Sequence, residues 1–237
     1  MNLNKKWVRG LLAAFGLLGV ASAAHAQLDY SAYGVADFSY GRFEPSGFEP
    51  VHRFNSNSMS ASFVGVNANY GFDGGWKPGI TLETFVRFQD FKTGRNDNDP
   101  ALSRKAFASL GSNYGTLSIG RLQTLLFDTT ARFNAMGNSP AFSPAVRHVF
   151  LSGNLEGVQR DFYWNRAASY VSPNWEGVTG SVMYSLGPKG QRSDLSAANI
   201  VVSRGLFAAE IAMQHVHENN GFDDPTDERT WQLGATY

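Results

Sequence analysis

The chain of 237 residues contains no cysteine, few charged residues and no excess of positive charge. The absence of cysteine excludes a disulfide-stapled scaffold and a metal site built on thiolates. Charged residues make up only 17% of the chain, and basic and acidic residues are equal in number, at 20 each. Proteins that bind nucleic acid through its phosphates normally carry a basic excess. We therefore expect no nucleic-acid partner, and the residue patterns give no reason to expect a cofactor.

The chain also lacks a long hydrophobic run outside its first residues. A basic start is followed by ten apolar residues at 11–20 and by the sequence AHA at 24–26. This order is typical of a cleavable secretory signal peptide. Ten apolar residues are too few to cross a bilayer, and no run of eighteen follows. The sequence therefore predicts a signal peptide at 1–26, cleaved after Ala26. The mature domain at 27–237 then has a net charge near −3, because three of the 20 basic residues leave with the leader.

What the mature chain does have is an alternation of apolar and polar residues with period two. In the segment 178–186, Val182 and Tyr184 fall on one side, and Ser181 and Ser185 on the other. Successive side chains of a strand point to opposite faces, and a strand of a membrane barrel has one lipid face and one watery face. Aromatic residues, at 14%, collect near segment ends, as they do in the interfacial girdles of barrels. The core aromatics of a soluble β protein would give a similar composition.

The alternation predicts ten strands, which are 28–41, 58–70, 80–91, 104–110, 116–122, 162–172, 178–186, 197–203, 206–217 and 230–237. Their connections swing between long polar loops and tight turns along the whole chain. If the first strand starts in the periplasm, every long loop lies outside and every tight turn inside, as in outer-membrane barrels. We therefore predict an all-β fold, a transmembrane antiparallel β-barrel. The longest irregular segment, 123–161, is longer than loops of compact domains usually are unless they are functional.

Four segments resemble the Gram-negative general porins of the betaproteobacterial type. They are YGVADFSYG, FVGVNANYGFDGGWKPGI, RKAFASLGSNYGTLSIGR and ASYVSPNWEGVTGSVMYSLG. The resemblance implies a sixteen-stranded homotrimeric channel, surrounded by outer-membrane lipid, through which small hydrophilic solutes and ions diffuse passively. It also implies that the third extracellular loop folds into the lumen and narrows it. The segment 123–161 lies where that loop is expected.

The predicted number of strands differs from that of the family, because ten strands are six fewer than sixteen. At about twenty residues for each strand and its connection, the difference is roughly 120 residues. An aromatic last residue, Tyr237, and an even strand count are also compatible with a complete ten-stranded barrel. Barrel diameter grows with strand number, and ten strands leave little room for an inserted loop of this length. We therefore expect a chain that is incomplete at its C-terminus.

The constriction departs from the resemblance as well. Members of the family commonly carry an arginine on strand two at a position that is Phe63 here, whereas Arg121 matches the family's G-R pair at the root of the constriction loop. Its spacing from Leu117 would direct Arg121 toward lipid, so we expect Gly120 to permit a bulge that re-aims it. The predicted constriction residues are Arg121, Arg87, Arg132, Arg147, Asp128, Glu156 and Phe63.

Charge in the segment 121–166 predicts mild anion selectivity. The segment holds five arginines and three acids, a balance of +2 on a domain near −3. Fixed positive charge in a narrow pore attracts anions, and we expect Arg121 to contribute most, supplemented by Arg132 or Arg147. The alternative is that these arginines are solvated loop charges or pair locally with acids, and then contribute little.

Other chemistries receive weaker support from the sequence. His215 and His217 have a spacing that a metal site could use, but no third ligand is readable, and rim histidines are the simpler interpretation. Ser143 and His148 are close in sequence but lack the motif of a hydrolase nucleophile. We therefore expect no enzyme. A catalytic barrel of the protease or lipase type, and a non-conducting structural or adhesive barrel, remain the alternatives to a channel.

Overall fold

The computed structural model describes residues 27–44, 47–151, 159, 161–186, 193–218 and 226–237. The predicted signal peptide and Glu156 lie outside the described residues. The strands, in chain order, are β1 Leu28–Val35, β2 Phe38–Phe43, β3 Val51–Ser56, β4 Phe63–Tyr70, β5 Lys77–Arg87, β6 Lys92–Thr93, β7 Ala106–Ser112, β8 Gly115–Gln123, β9 Tyr163–Val171, β10 Val178–Leu186, β11 Ser193–Arg204, β12 Phe207–Glu218 and β13 Thr226–Thr236.

Three short helical segments lie between β8 and β9 in the part of that stretch that the structure describes. They are α1 Leu125–Arg132, the single turn α2 Pro144–Val146, and a π-helical turn at Arg147–Leu151 that directly follows it. None of the helices in the described residues has the length and apolar character needed to cross a membrane.

Ten of the strands form one antiparallel sheet in chain order, β1-β4-β5-β7-β8-β9-β10-β11-β12-β13. The ten predicted strands are therefore confirmed as ten neighbours in one sheet. The two-residue strand β6 adds to β5, and β2 and β3 form a separate hairpin. In the described part of the chain, β1 and β13 lie at the two edges of the main sheet.

The sheet has one apolar face exposed and one face largely covered. Register aligns the outward side chains across strands, as with Val182 opposite Ala198 and Ile200 opposite Ile211. The exposed apolar side chains of this face include Tyr30, Val64, Val66, Ile80, Leu117, Ile119, Tyr170, Val182, Ile200, Ile211 and Leu233. The residues between them in sequence point to the other face and are mostly small or polar, with Phe63 and Met183 among the exceptions. This separation gives the sheet a lipid-compatible exterior and a polar interior.

The sheet curves around the segment that joins β8 to β9. Arg132 bonds to Glu210 on β12, and Ser139 donates to the carbonyl of Ser58, just before β4. In a flat sheet, the seven steps from β4 to β12 would span roughly 34 Å. Residues 132–139 contain two tight turns, and even fully extended they would reach only about 25 Å. The side chains of Arg132, Glu210 and Ser139 add to that reach, but the Phe133 ring also lies directly against Gly234 of β13, one strand beyond β12. The sheet therefore curves around the loop, which lies on its concave side.

The predicted end of the first strand is wrong, and the segment predicted to follow it as a polar loop contains paired strands. The segment 28–41 divides into β1 and β2, and β2 pairs with β3 inside the stretch predicted as a polar loop. The break occurs at Asp37, whose carboxylate accepts the backbone N–H groups of Ser58, Met59 and Ser60. These bonds turn the chain out of the main sheet. Strands β11 and β13 also begin earlier than predicted, at residues that sequence reasoning assigned to polar loops.

The two faces of β10 give a direct test of the membrane assignment. Val182 is exposed on the apolar face, whereas Ser181 points to the interior. We expect Val182→Arg to destabilise the folded protein in lipid by roughly 2–4 kcal/mol if it lies near the bilayer midplane, and Ser181→Arg to do so much less. The measurement is the folded fraction in lipid vesicles across a denaturant series. Equal tolerance of arginine at both positions would contradict the assignment.

Candidate functional site

The site is built on the long segment between β8 and β9, which begins with a capped helix. Thr124 ends the extended chain, and its hydroxyl accepts the N–H of Phe127 at 3.3 Å, which caps α1. Leu126 and Phe127 then pack against Val146 and Phe150 of the same segment and against Ala212 of β12. The loop thus has a small apolar core of its own, which it shares with the inner face of the sheet.

A buried carboxylate holds the loop to the far wall. Glu210 on β12 lies within hydrogen-bonding distance of the Thr129 hydroxyl at 2.5 Å, Arg132 Nη1 at 2.9 Å and Asn199 Nδ2 at 2.7 Å. We call these four residues the latch. The Glu210 carboxylate is shielded from solvent, whereas the Arg132 side chain remains 48% exposed. A buried carboxylate is stable when its oxygens are bonded in this way.

Two further contacts next to the latch fix the loop. Thr130 donates to the side chain of Gln232 on β13 at 2.7 Å. Phe133 lies against Gly234, the register partner of Glu210, at a place where any Cβ would collide with the ring. The missing side chain at Gly234 therefore makes room for the loop at the point where the latch forms.

At the root of the loop, Arg121 is turned to the interior by a β-bulge. Gly120 pairs with Ala167 and Leu122 with Trp164, so one extra residue of β9 is accommodated opposite Arg121. Gly120 adopts a φ of +143°, a region in which residues with a side chain are strained, and its Cβ would strike the backbone of β7. The predicted bulge is confirmed. Arg166, in the bulged segment of β9, has a φ of +50° and lies exposed.

The guanidinium of Arg121 is bonded on several sides. It donates to the carbonyl of Ser103 at 2.9 Å, to Asn165 Oδ1 at 2.9 Å and to Asp161 Oδ2 at 3.0 Å. Only 7% of the Arg121 side chain is exposed. The pair of Arg121 with Asp161 ties the two ends of the long loop together. Asp161 also binds Arg95, in the connection between β6 and β7, at 2.6 Å. Arg121 therefore anchors the loop, and its charge is paired.

Arg121 belongs to a wall of stacked cations and rings. Each of three guanidiniums lies over an aromatic ring and pairs with acids. The stacked pairs are Arg95 over Phe85, Arg104 over Phe63, and Arg121 over Tyr163, and the acids are Asp99, Asp161 and Glu83. Arg104 is the closest, with its guanidinium carbon 3.9 Å from the centre of the Phe63 ring. Cation–π contacts add to the ion pairs in holding these groups rigidly. The charges of the three arginines and three acids cancel.

Asp128 lies on α1, beside Gln123 and near Lys105. Burial raises the pKa of the Asp128 carboxyl, while the charge of Lys105 and a hydrogen bond from Gln123 act in the opposite direction. Burial lowers the pKa of Lys105 in turn. Two groups of opposite charge therefore face each other in a partly desolvated place between the loop and β7.

The remaining predicted residues lie apart from one another. Arg87 pairs with Asp97 at 2.5 Å and with Asp90 at 3.3 Å, in the connection after β5. Arg147 is exposed at the start of the π-helical turn. Phe63 points inward, under Arg104. The fold thus brings Phe63 and Arg121 into one wall and places Arg132 on the opposite one.

Sequence reasoning missed four residues that organise the site. Glu83 and Glu210 fall on the inward sides of their predicted strands, so a carboxylate on an inward face was the available signal. Arg104 was not found because the sides of its predicted strand were ambiguous. Arg95 was not found because it lies in a polar loop without periodicity, and only the fold brings it to Asp161.

The histidine pair on β12 is bound to a carboxylate. His215 Nε2 lies 2.6 Å from Asp227 Oδ1, and His217 Nδ1 lies 3.9 Å from Asp227 Oδ2. Across the described residues, no group of three His, Cys, Asp or Glu side chains is arranged to hold a metal ion. Ser143 caps the turn α2 through Val146 N and donates to Asn134 Oδ1, which is a structural role.

Comparison with known proteins identifies the family. Residues 11–237 match the family described as Gram-negative porin. The chain belongs to the Gram-negative porin family. No curated protein sequence matches it. Among solved structures, it is similar to the anion-selective porin from Comamonas acidovorans, at 15% identity and a TM-score of 0.70, over 88% of this chain and 63% of that one. It is also similar to the trimer form of OmpT, an outer membrane protein of Vibrio cholerae, at 14% identity and a TM-score of 0.59, over 88% and 58%.

These likenesses establish the fold as that of outer-membrane β-barrel porins. The chain spans about three fifths of the length of the solved structures that it matches. As a Gram-negative porin, it is an outer-membrane protein, and the exposed apolar face of its sheet is the face that meets lipid.

The latch of this porin can be tested by removing its carboxylate. In Glu210→Ala, Thr129 and Asn199 lose a buried acceptor, whereas Arg132 can turn to water. We therefore expect the loop to be held less tightly by roughly 1–3 kcal/mol. The measurement is amide hydrogen exchange of α1, or protease cleavage of residues 133–147, in the folded protein. Asp73→Ala, in an exposed turn, is the matched control. Unchanged protection of α1 in Glu210→Ala would show that the latch does not position the loop.

Proposed function

We propose that this porin forms a water-filled channel through which small hydrophilic solutes and ions cross the outer membrane by passive diffusion. The observation that carries the proposal is the long loop held across the concave face of the sheet, pinned to the far wall by Glu210 and to the near wall by the backbone of Ser58. Such a loop narrows the space on the concave side of the sheet and is not itself part of the sheet. Membership in a porin family supports a channel rather than a catalytic barrel.

The interior charges fit a channel that transports without chemistry. They are arranged as ion pairs bonded to backbone and ring groups, as in Arg104 with Glu83 and Arg121 with Asp161. Ion pairs held so firmly fix the position of each charge, and a field that biases the passage of ions then arises where one partner of a pair is more exposed than the other.

We infer that the channel is mildly anion-selective, and that Arg121, Arg87, Arg132, Arg147, Asp128, Glu156 and Phe63 belong to or border its constriction. The inference of anion selectivity rests on the different burial of the basic and the acidic partner of an ion pair. At the latch, the Arg132 guanidinium is half exposed, whereas the Glu210 carboxylate behind it is fully buried. The positive partner is therefore the one that is exposed toward the lumen. Arg147 adds a second exposed positive charge on the same loop. The similar porin from Comamonas acidovorans is described as anion-selective.

The assembly and export of the protein complete the proposal. The channel is a homotrimer, as supported by the trimer form of the similar OmpT protein. The chain reaches the outer membrane through a signal peptide at 1–26, cleaved after Ala26, as the pattern of its first residues supports.

Selectivity is tested by reversal potential under a salt gradient, on the full-length protein in planar bilayers. We expect the wild-type channel to favour anions. Arg121→Ala and Arg132→Gln should both move the potential toward cation preference, because each removes positive charge from the constriction. The shift should be larger at about 0.1 M than at about 1 M salt, since salt screens exposed charges. Arg42→Gln, on the exposed hairpin, is a control that should leave the potential unchanged.

The outcomes distinguish the role of Arg121 from that of Arg132, and they also test the proposed channel. A shift with Arg132→Gln but none with Arg121→Ala would mean that Arg121 acts only as an anchor of the loop. A wild-type channel that prefers cations would overturn anion selectivity, and the absence of discrete current steps would overturn the channel.

A further inference from the structure

Two adjacent cations stand opposite one acid where β7 begins. The backbone N–H of Arg104 donates to the carbonyl of Glu83 at 3.2 Å, and the N–H of Glu83 donates to the carbonyl of Lys105 at 2.7 Å. Two residues of one strand therefore oppose a single residue of β5, which is the arrangement of a β-bulge. A bulge interrupts the alternation of faces and re-aims a side chain. The side chains of Arg104 and Lys105 can thus point to the same face.

Both side chains point to the interior. The Arg104 guanidinium lies over the ring of Phe63, on the inner face of β4. Lys105 lies two residues before Phe107, and residues two apart on a strand share a face. Phe107 packs against the interior cluster that contains Leu125 of α1. The bulge therefore brings two neighbouring positive charges to the side of the sheet that carries the long loop.

Both oxygens of the Glu83 carboxylate have partners other than Lys105. One oxygen pairs with Arg104, and the other accepts the hydroxyl of Tyr33 at 2.6 Å. In the part of the chain that the structure describes, the Lys105 ammonium has no ion pair and no hydrogen-bond partner. The guanidiniums of Arg104 and Arg121, in contrast, are each paired with a carboxylate.

The Lys105 ammonium keeps contact with water. Its side chain is half-buried, and its nitrogen is not one of the buried polar atoms that lack a partner. Two charged groups act on it, Arg104 from the preceding position and Asp128 from α1. Asp128 interacts in turn with Arg132 and Glu210 of the latch. Burial and then the charge of Arg104 lower the pKa of the Lys105 amine, and Asp128 acts in the opposite direction.

An unpaired charge acts on a passing ion more strongly than a paired one. A guanidinium beside a carboxylate presents a dipole, and the effects of its two ends largely cancel at the distance of a passing ion. The Lys105 ammonium presents a whole charge, in a partly desolvated place where its field is screened less than in bulk water. Among the described residues, a small anion therefore finds at Lys105 a cation without a competing carboxylate at contact distance.

We propose that Lys105 is the residue of the interior that binds small anions on their way through the channel and so determines its anion preference. The proposal rests on the proposed function and adds to it the group that carries the effective charge. Arg121 and Arg132 also hold the loop through their carboxylates, whereas the Lys105 ammonium is available to the solute. Because an amine can lose its proton and a guanidinium cannot, the anion preference should fall as the pH rises.

The ratio of anion to cation permeability measures the role of Lys105. It is obtained from reversal potentials of the full-length protein in planar bilayers. Lys105→Gln should lower the ratio by at least about twofold at about 0.1 M salt, where screening is weak. Lys105→Arg should keep the wild-type ratio at neutral pH, since it keeps the charge. Lys77→Gln, at an exposed lysine where β5 begins, is the matched control and should leave the ratio unchanged. A wild-type ratio in Lys105→Gln would overturn the proposal.

The pH profile separates an amine from a guanidinium. Between about pH 7 and about pH 10, the wild-type ratio should decline, with its onset below the ordinary lysine pKa of about 10.4. In Lys105→Arg the ratio should stay level over the same range, because the guanidinium remains charged. Lys77→Arg should show the same decline as the wild type. An equal decline in the wild type and in Lys105→Arg would overturn the proposal.

The charge of Lys105 can also be measured without ionic current. Reductive methylation with isotope-labelled formaldehyde keeps lysine amines basic, and the Lys105 signal in the NMR spectrum is assigned by its loss in Lys105→Arg. We expect this amine to titrate below the ordinary value, and an ordinary or raised pKa would overturn the proposal. Absence of current steps would contradict the proposed channel and with it the selectivity that Lys105 serves. A conducting wild type whose anion preference survives in Lys105→Gln would overturn the role of Lys105 alone.

Discussion

A strand that crosses a membrane has no water to bond its backbone, so each of its N–H and C=O groups must find a partner on a neighbouring strand. The other features of this porin depend on that constraint. Strands paired on both sides must alternate their side chains between two faces, and lipid requires one of those faces to be apolar. The interior face is left free to carry polar groups such as Glu83, Asn199 and Glu210, and the last two belong to the latch that holds the loop.

The charged contacts that hold the loop in place are ion pairs. Its root is tied by Arg121 and Arg95 through Asp161, and its helix is tied to the far wall by Arg132 through Glu210. Paired charges add little net field. The interior is nevertheless electrically asymmetric, because the partners of a pair differ in depth. The ion pairs thus serve two purposes. They fix the loop, and the more exposed partner of each pair sets the sign of the charge at the interior surface.

Ser58 connects the long loop to the β2–β3 hairpin. Its hydroxyl contacts Ser39 of the hairpin, and its carbonyl accepts hydrogen bonds from Ser139 and from the amide of Ala141 in the loop. The hairpin and the loop therefore share one anchoring residue. The hairpin on the outside of the sheet is in this way joined to the long loop on its concave side through a short polar path.

The sequence by itself determined that ten strands follow one another, most of their outward faces and the bulge beside Gly120, because period-two alternation and glycine placement are local properties of the chain. It also indicated which segment forms the long loop. Local patterns did not reveal the β2–β3 hairpin, which depends on Asp37 capping amides more than twenty residues away, or the helix α1, which is short and irregular in pattern. Only the tertiary structure decided how the charges pair. Arg95, Arg121 and Asp161 meet through bonds between residues 40 and 66 positions apart, and a contact over such a separation is set by the curvature of the sheet and not by sequence spacing.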